Sequence, residues 1–324
     1  MFTFSSIKNV TWRIVKRFLS RVLPVVIGVV VAVFFLLRLV PGDPARIILG
    51  DQATDASVIA LREQLGLDQP VWVQFSHFVT QLFTHFDTGE SLVYGESTRT
   101  LILERAPLSL GIVAIAVMLT LAIAVPLSVA AASHQDGPVD HMVRVIPAVG
   151  MGMPTFWVGL LLIIVFAVNL KWLPVGGIGD GPLQPFLSLV LPGVAVAIAA
   201  IPPLVRSLRS ELLDVTHADF VTTLRAAHIP ERTIQFRHVL RNAAVPTLNL
   251  FGVNVAFMIG GTLVVEKVFA INGVGSLLFN AISSRDFPVV QGVALYCAFF
   301  VVLITIIVDL CSAAIDPRLR LGSS

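Results

Sequence analysis

Charge is what this sequence has least of. Asp, Glu, Lys and Arg make up 13% of its 324 residues, about half the share of a soluble globular protein. That shortage excludes an ordinary soluble enzyme and a disordered chain. Cysteine is almost absent, with only Cys297 and Cys311. They lie in one apolar run, and on a helix their separation is roughly 21 Å, far beyond disulfide reach. A disulfide-stapled secreted domain is therefore excluded. Catalytic signatures are missing as well. The chain has no G-x-x-x-x-G-K-[ST] phosphate loop, no G-x-G-x-x-G, no H-E-x-x-H and no G-x-S-x-G. All seven histidines fall in loops, which argues against a buried metal site.

What the chain has is apolar length: 56% of it is hydrophobic. A helix that crosses a bilayer needs about 20 mostly apolar residues. Five runs contain no charged residue at all: 106–132, 145–170, 187–205, 242–265 and 287–308. A sixth, 22–40, is interrupted only by Arg38. Six transmembrane helices follow. The first run is too long for the core of a signal peptide. It leads into Pro41-Gly42-Asp43-Pro44 and not into a cleavage site of small residues. Barrel strands are excluded because they alternate apolar and polar residues over about ten positions.

Orientation follows from Lys and Arg. Lys8, Arg13, Lys16, Arg17 and Arg21 precede the first run with no acid among them. Placing that end inside the cell puts 14 of the 22 basic residues on the inner face. Both termini are then cytoplasmic. The loop at 43–105, with nine acids against four bases, is then external. Two short helices are predicted in that loop, Ser57–Leu65 stopped by Gly66, and Val71–Phe83 after Pro70. A third is predicted outside, Ser276–Ser284, after the Asn272-Gly273 turn.

The loop at 206–244 carries the richest pattern. Ala218–Ala227 is helix-compatible, with Phe220, Val221 and Leu224 read as one face. Ile229-Pro230 breaks it, because proline has no amide and restricts the residue before it. From Glu231 the pattern resumes, with Phe236, Val239, Leu240 and Ala243 as an apolar stripe. Arg232, Arg237 and Arg241 lie elsewhere on that helix. The result is a helix–break–helix projection whose tip has small residues, Ala226 and Ala227, suited to close approach by a partner. A basic loop resting on anionic headgroups is the alternative. Within the runs, Pro126, Pro147, Pro154, Pro192, Pro202-Pro203 and Gly260-Gly261 perturb helices, as suits a moving pathway. Gly260-Gly261 also predicts close helix approach. Glu266 and Asp309 are the charges closest to span interiors, and a structural role is expected for both.

Six ordered motifs carry a family resemblance that runs nearly end to end. They are Pro41-Gly42-Asp43-Pro44; Leu61-Arg62-Glu63-Gln64-Leu65-Gly66-Leu67-Asp68-Gln69-Pro70; and His217-Ala218-Asp219-Phe220-Val221 with Arg225-Ala226-Ala227, Leu240-Arg241-Asn242-Ala243 and Pro246. The remaining three are Gly260-Gly261-Thr262-Leu263-Val264-Val265-Glu266-Lys267-Val268-Phe269; Arg285-Asp286-Phe287-Pro288-Val289-Val290-Gln291-Gly292; and Asp316-Pro317-Arg318. Together they resemble the membrane permease subunits of ATP-binding-cassette importers for dipeptides, oligopeptides and nickel. The chain departs from that family at His228, where glycine is usual, and at Asn272-Gly273, where Pro-Gly is usual.

The resemblance implies an all-α, type I importer permease fold with both termini inside. Three regions are expected: 1–105 with the first span and the external helices, a permease core over 106–316, and a tail over 317–324. It implies no catalysis in this chain and no cofactor of its own, with ATP and Mg used by partner subunits. The implied partners are a second homologous permease, two cytoplasmic ATPases, an external solute-binding protein, a peptide and the lipid bilayer, with no nucleic acid. The expected location is the bacterial inner membrane. The resemblance also implies that 206–244 is the ATPase-coupling loop, with Phe220, Leu224, Arg225, Ala226, Ala227, His228, Ile229, Pro230 and Glu231 as its contact region. Asn249 and Asn254 are candidates to line the pathway, with helix packing as the alternative. Nickel, glutathione or another small solute remain alternatives to peptides. A self-sufficient secondary transporter is the remote one.

Overall fold

A computed structural model describes residues 23–35, 44–49, 53–64, 66–150 and 152–315. The motifs at 41–43 and 316–318 and the tail at 317–324 lie outside the described residues. Among those described, the chain is helical throughout, with a single isolated bridge between Glu90 and Ser97 as its only β pairing.

In chain order the helices are α1 Leu23–Phe35, α2 Pro44–Leu49, α3 Asp55–Gln64, α4 Val71–His85, α5 Thr98–Ser133 and α6 Pro138–Gly150. They continue as α7 Thr155–Asn169, α8 Gln184–Thr216, α9 Asp219–Ala226, α10 Glu231–Val268, α11 Val274–Ser283 and α12 Phe287–Ile315. Four of these, α5, α8, α10 and α12, are long and apolar enough to cross a membrane. Each overruns its charge-free run, because hydropathy marks only the part facing lipid and the helix continues into polar ends.

The run at 145–170 is not one helix. Gly152, Met153 and Pro154 separate α6 from α7. Pro154 cannot donate a ladder hydrogen bond and drives Met153 out of the helical region. It stands as the N-cap of α7 with φ −60 and ψ 138. At 1.5 Å per residue, 15-residue α7 is about 22 Å long, short of a hydrocarbon core of about 30 Å. Its second half is a π-helix, Ile163–Asn169.

The chain divides into two compact units, one of residues up to Pro107 with Asn272–Phe300, the other of Leu108–Ile271 with residues from Val301. In the first, α1 packs on α4 through phenylalanines, with the Phe34 and Phe75 rings 5.0 Å apart and nearly edge-on. Polar contacts join Asn272–Phe300 to the N-terminal residues within the first unit. Asp286 is wholly buried and accepts from Ser91 Oγ at 2.5 Å and from the Leu92 and Val93 amides. Thr88 Oγ1 donates to the Pro288 carbonyl at 2.8 Å.

In the second unit α8 is the central element. Its most apolar window is 67% buried, against 33% for α5 and α10. Small residues let α5 and α8 approach: a Cβ on Gly193 would lie 2.5 Å from Ile115, and one on Gly111 would lie 2.7 Å from Leu189. Gly260 and Gly261 face open space among the described residues of this chain, where a Cβ at either would meet nothing within 4 Å. Glu266 is fully buried and accepts from Ser109 Oγ at 2.6 Å, which agrees with a structural role.

Candidate functional site: the projecting loop between α8 and α10

The loop is built on an apolar platform. Leu208 and Leu212 on α8, Val221 on α9, and Ile234, Val239 and Ala243 on α10 form one buried cluster. Val125 and Val129 of α5 pack against it. The first turns of α10 contain a π-helix, Ile234–Val239. A π turn adds one residue to the ladder, so positions five apart share a face. Ile234 and Val239 are therefore buried together, and Ala243 follows one α turn later.

This register corrects two sequence readings. Phe236 was expected in the buried stripe and is instead 61% exposed, because the π turn rotates it outward. Phe220 was grouped with Val221 and Leu224, yet it is 41% exposed while Val221 is fully buried. Adjacent helical residues lie 100° apart, and the platform takes only Val221 and Leu224.

The turn itself is closed by backbone geometry. The Ile229 amide donates to the Leu224 carbonyl at 3.2 Å, and the His228 amide to the Arg225 carbonyl at 2.9 Å. This pair of bonds is a Schellman ending, which needs a left-handed residue at its penultimate position. His228 occupies that position with φ +58. Histidine is thus held in the conformation that glycine adopts without strain. Leu224 and Ile229, the pair that normally touches in such an ending, both pack against the platform.

Across the turn, Arg225 clasps Glu231. Arg225 Nη2 lies 2.8 Å from Oε1 and Nε lies 3.3 Å from Oε2. The guanidinium holds the Glu231 carboxyl below its ordinary range, and the carboxylate raises Arg225 in turn. Both are largely exposed, so the pair contributes little to stability. Pro230 caps α10 with φ −56 and ψ 135. Phe220, Arg225, Ala226, Ala227, His228, Pro230 and Glu231 are exposed, and only Leu224 and Ile229 reach inward. The result is a firm, outward-facing tip with a small-residue centre and an aromatic ring beside it.

The other two candidates do not share a place. Asn249 and Asn254 are five residues apart on an α-helical stretch, about 140° around the axis. Asn249 is exposed and lines a groove of ≈ 510 Å³ with Thr305 and Asp309. The amide nitrogen of Asn254 is buried with no hydrogen-bond partner among the described residues. Asp309, read as structural, faces the same groove as Asn249.

Residues 124–321 match the family described as the binding-protein-dependent transport system inner membrane component, and residues 11–113 match the N-terminal region of such membrane components. The chain belongs to that family. Among relatives of this permease, a Brucella abortus protein named as a peptide transport system permease is 37% identical over 95% of this chain and 98% of its own. The glutathione transport system permease protein of Salmonella typhimurium is 36% identical, over 95% of this chain and 98% of its own. A chain of the MetNI methionine ABC transporter has the same fold at a TM-score of 0.55, with 16% identity over 67% of this permease and 96% of that chain. The permease is accordingly a multi-pass inner-membrane component with the type I importer fold.

Sequence reasoning missed one cluster in this region. Asp140 of α6 is fully buried and ion-paired to Arg209 of α8 and to Arg144. A charge-rich stretch between two apolar runs reads as a solvated loop, and nothing local pairs Asp140 with Arg209, 69 residues away.

Proposed function

We propose that this permease forms half of the translocation pathway of an ATP-driven importer, and that the imported solutes are peptides. A second homologous permease supplies the other half. Two cytoplasmic ATPases bind ATP and Mg, and an external binding protein delivers the solute. This chain catalyses nothing itself. Its work is mechanical: it receives movement from an ATPase and changes the access of the pathway.

The observation that carries this reading is the tip at Arg225–Glu231, exposed yet fixed by a Schellman ending over a buried apolar platform. A loop that only rested on headgroups would have no need of a rigid base. A loop that transmits force does, since slack in the lever would absorb the movement. The exposed Phe220 and the small Ala226 and Ala227 suit insertion into a groove on an ATPase. The peptide reading is supported by relatives named for peptide and D,D-dipeptide transport. Glutathione, itself a short peptide, is the second reading, supported by relatives named for it.

The test is ATP hydrolysis by the reconstituted complex, with and without binding protein. Ala227→Glu adds bulk and a charge to the tip, and a docked contact tolerates neither. Binding-protein-stimulated hydrolysis is expected to disappear while the chain still inserts. Full stimulation in Ala227→Glu would show that the tip does not dock on an ATPase. The solute is tested by identifying what the binding protein retains on purification.

A further inference from the structure

The most deeply buried charge near the loop is one that the coupling reading does not use. Asp140 stands in the first turn of α6, and its side chain is wholly buried. Arg209 Nη2 donates to its Oδ2 at 2.8 Å, and Arg209 Nε pairs with Oδ1, so the contact is two-pronged. Arg144, one turn further along α6, pairs with the same carboxylate and reaches Asp136 Oδ1 at 2.6 Å. The Asp136 amide donates to Asp140 Oδ2 at 3.0 Å. Both oxygens of the carboxylate are thus taken, and the charge is fully satisfied. The Arg209 guanidinium holds the carboxyl below its ordinary range.

The position of this knot matters more than its strength. Arg209 lies on α8 between Leu208 and Leu212, the α8 members of the platform under the projecting loop. Asp140 lies on α6, which leads through the Pro154 break into α7. Val143, one turn from Asp140, packs in a cluster with Leu204 and Val205 of α8. Apolar contact alone would therefore hold α6 against α8. A buried ion pair is seldom the most stable filling for such a place, because desolvation offsets its attraction. What it adds is registry: a bidentate pair allows one alignment, whereas apolar surfaces can slide.

We propose that Asp140 is a positioning residue for energy coupling: its bridge to Arg209 fastens the stretch of α8 that bears the loop to α6 in a single register, so that loop, α6 and α7 move as one body. The proposal rests on the coupling reading of the loop. It assigns to Asp140 the delivery of the ATPase's movement to the broken span at 145–170, beyond the docking contact itself.

The experiment uses the whole reconstituted complex and the variants Asp140→Asn and Asp140→Asn/Arg209→Gln. The double variant leaves no buried unpaired charge and so guards against simple misassembly. Basal ATP hydrolysis is expected to persist in it, while stimulation by binding protein falls about tenfold. Spin labels at Thr222 on α9 and Leu160 on α7 report the geometry. With Asp140 in place their separation is expected to be the same with and without ATP and Mg, and in the variants it changes with nucleotide. Stimulation and label separation as in the unsubstituted complex would overturn the proposal. So would a loss of activity matched by loss of assembled complex in both variants, since that is a purely structural role. Ala227→Glu run alongside separates the two ideas. If it retains stimulation, the docking reading fails and the proposal falls with it. If it behaves as expected and the Asp140 variants do not, only the clamp is wrong.

Discussion

Two loops in this permease are held in opposite ways. The segment 87–97 has almost no apolar anchor. It hangs on carboxylates: Asp286 takes the Ser91 hydroxyl and the Leu92 and Val93 amides, while Asp87 takes Ser97 Oγ at 2.5 Å and the Gly89 and Arg99 amides. The segment 217–233 is held by Val221, Leu224 and Ile229 on a platform of leucine, isoleucine and valine. Its polar contacts are peripheral, as in the exposed Arg225–Glu231 pair. Directional bonds to a buried acceptor fix a loop's path residue by residue, and losing the acceptor orphans every donor at once. Apolar packing spreads the load over many contacts. The second arrangement leaves the tip side chains exposed to a partner.

Substitutions that strike each kind of anchor should separate them. The largest loss is expected for Asp286→Ala, which takes the acceptor from the Ser91 hydroxyl and the Leu92 amide, while the Val93 amide keeps Ser91 Oγ. At about 1–3 kcal/mol for each group left without an acceptor, the sum is on the order of 2–6 kcal/mol. Thermal unfolding of the detergent-solubilised complex would measure it. A loss below about 1 kcal/mol would mean that water replaces the carboxylate freely. Next is Ile234→Ala, which opens a cavity under the projecting loop and should cost about 2–4 kcal/mol in the same measurement. If Phe236→Ala costs as much as Ile234→Ala, the π register described here is wrong.

Smaller effects are expected at the tip. His228→Gly removes the strain of a left-handed side chain and should raise stability by about 0.5–1 kcal/mol with transport retained. A drop in unfolding temperature would show that the imidazole makes a compensating contact. The smallest effect is that of Arg225→Gln, a few tenths to about 1 kcal/mol for a solvent-exposed pair. Because Arg225 depresses the Glu231 carboxyl, its contribution is present above the ordinary carboxylate pKa and vanishes as pH falls through the depressed value. The unsubstituted protein and Arg225→Gln should therefore converge in stability toward acid pH. A difference that persists there would have to come from packing of the arginine stem.

Much of this was legible in one dimension. The long helices α5, α8, α10 and α12 follow from charge-free runs, because a bilayer imposes a length on apolar segments whatever they pack against. The short helices α3 and α4 were found within two residues of their ends, because Gly66, with φ +64, and Pro70 punctuate the chain chemically. The break at Ile229-Pro230 was legible for the same reason. All of these signals reside in a residue and its near neighbours.

What tertiary structure alone decided is register and partnership. Periodicity counted at 3.6 residues per turn put Phe236 inside. A single π turn, admitted because Ile234 and Val239 can then both reach the platform, put it outside. The burial of Asp140 was equally invisible, since its partner Arg209 is 69 residues away and each charge by itself looks solvated. Sequence fixes which residues prefer lipid or resist helix. Which carboxylate meets which guanidinium is settled only when helices distant in the chain are packed, because desolvation and pairing are properties of the site and not of the residue.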